Sequence, residues 1–376
     1  MAQKIKIRLA AYTDPAGKWN ESAPNKGNED NLFVDADLSN DIQGQFLADE
    51  VQDLGEAGCL MVVADGMGGM NAGEVASAVA IETVKAGFEK SRLTASVLSS
   101  ADSRARYMEG IVVDADAAIK KKSNSDKECE GMGSTLILAW LFGDTLTVTW
   151  CGDSRAYLFR EPDGIRQISK DHSYVQGLVD EGKITEEEAF VHPYGNIVTR
   201  SLGDPSAKAK PDSVSLSVCR GDIILLCSDG LSGVLRDRKS YDRDGVLLPG
   251  KNLEDIIRAN RSSMTACRTA LWEAAEAAEW YDNVTAILCE ITEGPEASSP
   301  HKTIESEPVH RRPWKTLGIV LGILALCCGL FFLGKHYLGS GQKVEEPETV
   351  CPAPAEEPSG SPEQQATPTE PVLTEV

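Results

Sequence analysis

Apolar runs that stop abruptly at an aspartate and then turn on glycine are the recurrent pattern of this chain. Met61-Val62-Val63-Ala64 runs into Asp65-Gly66-Met67-Gly68-Gly69, and Leu225-Leu226-Cys227 runs into Ser228-Asp229-Gly230. Continuous apolar runs of this kind read as buried strands, and a helical pattern opens after the first at about Asn71. Residues 133–142, 144–151 and 155–160 read as consecutive strands. The turns Gly143-Asp144 and Pro162-Asp163-Gly164 between them predict antiparallel hairpins. Helical spacing covers 71–89, 104–122 and 264–280, and in the second of these Ile111, Ala115, Ala118 and Ile119 share a face. Hairpins with long helices on their faces predict an α+β fold, not a parallel βαβ one.

One apolar stretch is different in kind. Residues 316–334 carry no charge and no polar face, which is the length and character of a transmembrane helix. Lys302, Arg311, Arg312 and Lys315 precede it, and only Lys335 and Lys343 follow. That bias places the large N-terminal part in the cytoplasm and the C-terminal tail outside, with Trp314 and Tyr337 at the two interfaces. Residues 292–315 are then a juxtamembrane linker rich in Pro, Ser and Glu. The Pro- and Glu-rich tail, 339–376, cannot bury a core and is expected to be disordered. The N-terminus is charged throughout and shows no signal peptide.

A net charge of −21 over 376 residues excludes a nucleic-acid surface, which needs clustered Lys and Arg. Ten cysteines without a CxxC pair read as buried, reduced thiols, not a zinc site.

The acidic points carry the chemistry. Asn28-Glu29-Asp30-Asn31 and Tyr281-Asp282-Asn283 join Asp65-Gly66 and Asp229-Gly230. Each alone is an ordinary polar turn or cap. Together they offer aspartates and bare glycine carbonyls, hard oxygen donors that suit Mg²⁺ or Mn²⁺. Two such ions about 3.5–4 Å apart lower the pKa of a bridging water and neutralise phosphoryl oxygens. Such a site needs no side-chain nucleophile, and neither Cys-x5-Arg nor Gly-x-Ser-x-Gly occurs.

In chain order, Asn28-Glu29-Asp30, Asp65–Gly69, Gly131–Thr135, Gly152–Arg155, Asp171-His172-Ser173, Asn196–Gly203, Cys227–Leu231 and Asp282–Thr285 match one pattern. Over residues 4–291 the chain resembles the metal-dependent phosphatases of the protein phosphatase 2C family, in their bacterial form. The resemblance implies a central antiparallel β-sandwich flanked by helices on both faces, with two ions at one end and a third in some bacterial members. It implies that Asp65 bridges both ions, that the Gly66 carbonyl and Asp30 serve the second, and that Asp229 and Asp282 serve the first. Glu29 and Asn283 stand behind these ligands, and Glu130 with Asp229 is the expected pair for a third ion. The implied substrates are phosphorylated Ser/Thr proteins, including membrane-anchored kinases, and the catalytic unit is expected to be a monomer. Members usually carry an arginine that grips the phosphate five residues before the Asp30 position. Here it is Asn25, an amide without the charged bidentate contact, with Lys26 or Lys18 nearby as a point charge. That departure raises the alternative of a pseudophosphatase that binds phosphoproteins without turnover. His172 and the arginines Arg155 and Arg200 are expected to brace the fold. Residues 172–192 are expected as a flap beside the site, with Thr185 and Glu188 forming a capping box. The excursions 35–56 and 236–251 are expected as surface loops.

Overall fold

Alternate side chains of strand β4 (Cys59–Met67) enter two different apolar layers, and this alternation organises the fold. Cys59, Met61 and Val63 join one layer; Leu60, Val62 and Ala64 join another. With both faces covered, the strand can be apolar at every position, which explains the unbroken run in the sequence. The computed structural model describes residues 4–15, 27–44, 49–68, 72–241, 247–248, 250–278, 282–297 and 303–304. The stretch 316–334, the tail 339–376 and Lys18, Asn25 and Lys26 lie outside these residues. Among the described residues no helix is long and apolar enough to cross a membrane.

The other strands are β1 (Lys6–Asp14), β2 (Asp30–Asp35), β3 (Val51–Asp53), β5 (Gly133–Ser134), β6 (Leu136–Phe142), β7 (Thr145–Cys151), β8 (Arg155–Arg160), β9 (Gly164–Gln167), β10 (Asp212–Ser217), β11 (Ile223–Cys227), β12 (Ser240–Tyr241), β13 (Leu247–Leu248), β14 (Val284–Glu293) and β15 (Thr303–Ile304). Helices are α1 (Ala72–Gly87), α2 (Ala95–Leu98), α3 (Ala101–Ser125), α4 (Tyr174–Asp180), α5 (Glu186–Phe190), α6 (Asp229–Ser232), α7 (Leu253–Asn260) and α8 (Met264–Ala277). One sheet has the order β3-β1-β14-β11-β8-β9 and the other β15-β10-β7-β6-β4-β2, with β5 paired to β4. Every pairing in them is antiparallel.

Three apolar layers stack through the molecule. Leu9, Ala11, Met61, Ile137, Val148, Leu226 and Ile287 fill the space between the sheets. Val84, Met108, Val112 and Ile119 of α1 and α3 close over Leu60, Val62, Leu138 and Trp140. Ile256, Ile257, Cys267 and Leu271 of α7 and α8 close over Tyr157, Leu225 and Leu288. The expectation of antiparallel sheets packed with helices is met. The polar end of Trp140 is satisfied inside its layer, since its Nε1 donates to the Ala57 carbonyl at 2.9 Å.

Local differences from the sequence reading have local causes. Helix α3 starts at Ala101, before the expected 104, because the Ser100 hydroxyl accepts from the Ser103 N–H and caps it. Helix α7 was not anticipated; Asn252 caps it in the same way through the Asp255 N–H. The linker expected from residue 292 begins inside β14, and Thr303–Ile304 pairs with β10, so ordered pairing passes the expected boundary at 291. The excursion 35–56 contributes edge strand β3, and 236–251 carries the small β12–β13 hairpin. The flap holds α4 and α5, and the Thr185–Glu188 capping box is present.

Candidate metal centre

Strand register alone brings most of the acidic points to one end of the molecule. Asp30 opens β2 and lies directly opposite Asp65 near the end of β4. Strands β11 and β14 pair Cys227 with Ala286, which sets Ser228-Asp229 beside Asp282-Asn283. Side chains then tie the two sheets together at this end. The Ser228 hydroxyl donates to Asp30 Oδ2 at 2.7 Å, and the Glu29 N–H donates to Asn283 Oδ1 at 2.8 Å. Glu29 and Asn283 are both buried in this junction.

Gly66 is required by crowding. A Cβ there would stand 2.1 Å from the Gly73 carbonyl oxygen and 2.7 Å from that of Glu29. Its own N–H donates to the Glu29 carbonyl at 3.1 Å. Asp65 is fixed through its backbone: its carbonyl accepts from the Thr135 N–H and the Ser134 hydroxyl, and its N–H donates to Thr135 Oγ1. Thr135 Oγ1 also hydrogen-bonds Ser154 Oγ at 2.7 Å, so one hydroxyl links the Asp65 strand to the turn at residues 152–154.

The electrostatics of this end are one-sided. Burial pushes Asp30 up to about 8, opposed by hydrogen bonds from Ser228 and Thr285 and reinforced by Asp229 and Asp282. Burial, then the charges of Asp30, Asp229, Asp153 and Asp282, hold Asp65 well above the usual carboxylate range. Asp229 is raised by burial and then by the charge of Asp282. Asp65, Asp229 and Asp282 are half-buried, whereas Asp30 is buried.

Asp153 belongs to this group, and sequence reasoning missed it. It is buried, pushed up to about 8 by burial, then by Asp229 and Asp171. Glu130, the acid expected beside Asp229, sits exposed at the turn before β5. Asp153 is buried and feels the charge of Asp229, whereas Glu130 is exposed. The reason is topological: β7 and β8 run to and from the acidic end, and the turn joining them must lie there. The Gly152-Asp153-Ser154 signal was in the sequence, but a short hairpin turn supplies the same letters. Arg155 and Arg200 brace the fold as expected. Arg155 makes a bidentate pair with Asp171, with Nη2 to Oδ2 at 2.7 Å, and Arg200 pairs with Asp212. Asn25, Lys26 and Lys18 fall outside the described residues.

Among the described residues no group of three or more His, Cys, Asp or Glu side chains is placed to hold a metal ion. The carboxyls stand instead as neighbours on a backbone frame set by strand pairing. Their chemistry fits divalent cations, because carboxylates and a bare glycine carbonyl are hard oxygen donors.

Comparison with known proteins agrees with this reading. The family profile described as Protein phosphatase 2C matches residues 39–255. The serine/threonine phosphatase stp of Listeria innocua is 29% identical over 231 residues, covering 61% of this chain and 84% of its own length. The serine/threonine protein phosphatase PstP of Mycobacterium tuberculosis is 38% identical over 178 residues, 47% of this chain and 32% of that one. Among solved structures, Stp1 of Staphylococcus aureus superposes with a TM-score of 0.59 at 28% identity, covering 75% of this chain and 94% of that chain. The PstP catalytic domain in complex with two manganese ions gives 0.55 at 28%, covering 76% and 99%.

Proposed function

The chain belongs to the protein phosphatase 2C family and is a serine/threonine phosphatase dependent on Mn²⁺ or Mg²⁺, and from that premise we propose how its residues divide the work. The observation that carries this reading is the strand register that brings Asp30, Asp65, Asp229 and Asp282 to one end of the two sheets, tied together there by the Ser228–Asp30 and Glu29–Asn283 hydrogen bonds. Asp65, Asp229, Asp282 and the Gly66 carbonyl would hold two ions, Asp30 would serve the second, and Asp153 with Asp229 would face a third. When bound, such ions supply an acidified water and neutralise charge on the phosphoryl oxygens. Ser228 keeps Asp30 in place by a hydrogen bond that does not depend on metal. Thr135 and Ser134 hold Asp65 by its backbone, leaving the carboxylate free to turn toward a ligand.

Asn25, with Lys26 beside it, would face the substrate phosphate. An amide at that position weakens binding without removing the metal chemistry, so the family's activity favours an enzyme of modest phosphate affinity over a pseudophosphatase. The reading is tested by Mn²⁺-dependent hydrolysis of a phosphothreonine peptide, which Asp229→Asn and chelation should each abolish. Full turnover by Asp229→Asn would contradict it.

The apolar stretch 316–334 supports a membrane-anchored phosphatase with its catalytic unit cytoplasmic and the 339–376 tail outside. Anchoring would raise the local concentration of membrane-bound phosphoproteins, including Ser/Thr kinases. Release from membranes by carbonate washing, without detergent, would overturn this placement.

A further inference from the structure

Gly152 and Asp153 form the turn that carries Asp153 to Asp229, and Gly152 is held in a backbone conformation open only to glycine. Its φ is +124°, and a Cβ would stand 2.5 Å from Thr135 Cβ. One residue satisfies both backbone groups of Gly152. The His172 N–H donates to the Gly152 carbonyl at 3.0 Å, and the Gly152 N–H donates to His172 Nδ1 at 3.2 Å. Because Nδ1 accepts, the ring hydrogen belongs on Nε2, which donates to Asp212 Oδ2 at 3.0 Å. Arg200 Nη1 lies 3.2 Å from both His172 Nε2 and the same Asp212 oxygen; with the ring hydrogen on Nε2 it donates to Asp212, and its positive charge, after the His172 hydrogen bond, helps hold Asp212 below the usual carboxylate range. The imidazole is buried and stacked on Trp150, with ring centroids 6.1 Å apart. His172 also closes the neck of the flap, since its carbonyl accepts from the Thr199 N–H at 2.7 Å and the adjacent Ser173 bridges Val198.

We propose that His172 is a positioning residue for the metal centre. Its Nδ1 holds the Gly152 amide and so fixes Asp153 on the Asp229 side, while Asp212 selects the tautomer that makes this possible. The opposite tautomer would set one N–H against another and tilt the turn. A buried imidazole that only filled space would need neither bond. The proposal deepens the metal-dependent reading and rests on it.

The test compares Mn²⁺ binding by isothermal titration calorimetry in the full chain. His172→Gln keeps a donor near Asp212 but strands the Gly152 N–H. His172→Asn places an amide oxygen where Nδ1 stood. Residues behind a metal ligand are typically worth about 10–100-fold in affinity. His172→Gln is therefore expected to weaken the weakest Mn²⁺ step by about tenfold or more, and His172→Asn to stay near the parent. In an Asp153→Asn background, His172→Gln should add nothing further. Equal losses in the Gln and Asn variants, or a loss that persists without Asp153, would overturn the proposal. If His172→Gln does not fold, Asp212→Ala serves instead, its side chain being half exposed. It too should weaken that Mn²⁺ step, and unchanged binding would count against the idea. A parent chain that binds Mn²⁺ but hydrolyses no phosphopeptide would sink the phosphatase reading while leaving this comparison intact.

Discussion

Asp30 and Asp65 face each other across the β2–β4 ladder, two carboxyl groups placed as direct cross-strand neighbours. Like charges directly opposite destabilise a sheet. Here the repulsion is compounded by burial and by Asp229 and Asp282 from the other sheet. A fold that retains this arrangement spends stability on a site, and its physical consequences can be measured.

The first concerns pH. Asp30 and Asp153 are pushed from an ordinary 3.8 up to about 8. Between those values the folded chain holds more protons than the unfolded one. Their contribution is therefore full below about pH 4 and is lost as pH rises through about 8. The lowered carboxyls, such as Asp49, Asp180 and Asp212, act in the opposite sense but only below the ordinary carboxylate range. Metal-free protein should therefore melt lower at pH 8 than at pH 5.5, by roughly 5 °C or more. Mn²⁺ should raise the melting temperature more at pH 8, where it competes with fewer protons. Calorimetric scans with and without chelator check both signs.

Gly66→Ala tests the crowding at the turn. Its Cβ would press on the backbone carbonyls of Gly73 and Glu29, which cannot rotate away. Overpacking of this kind costs about 1–3 kcal/mol. Urea unfolding should show that loss, together with reduced phosphatase activity at saturating Mn²⁺.

Asp222 tests the opposite end of the fold. It is fully buried, pairs with Arg160 through Nε at 2.6 Å and accepts from the Cys219 N–H at 2.8 Å. Removing one partner of a buried pair costs about 3–5 kcal/mol. Asp222→Ala should lose stability on that scale. It sits at the start of β11, roughly 20 Å along the strand from Asp229 at about 3.3 Å per residue. The kcat per folded molecule should therefore be unchanged.

Asn25→Arg tests the departure in the phosphate grip. A guanidinium adds a charge-assisted bidentate contact worth about 1.5–3 kcal/mol. KM for a phosphothreonine peptide should fall about tenfold or more at nearly constant kcat, the pattern of uniform binding. A rise in kcat alone would assign the arginine a different role.

The sequence made the strands and helices legible wherever both faces or one face had a clear period. The run 61–64 and helix α3 are the best examples. It also made Asp30, Asp65, Asp229 and Asp282 legible, because each breaks an apolar pattern at a strand end. What was hidden is what depends on distant pairing. The pairing of β1 with β14 joins the two ends of the described chain, and no local signal announces it. Asp153 was hidden for the same reason, since its turn becomes part of the site only once β7 and β8 are placed in different sheets. Glu130 looked better by position in the chain and is exposed in space.

The most direct test is anomalous diffraction from crystals of the chain grown with Mn²⁺. Peaks within about 2.0–2.3 Å of Asp65, Asp229 and Asp282 oxygens and the Gly66 carbonyl are the predicted result, the range expected for a small hard divalent ion. Manganese bound elsewhere, with none at these aspartates while the same enzyme hydrolyses phosphothreonine, would contradict the account.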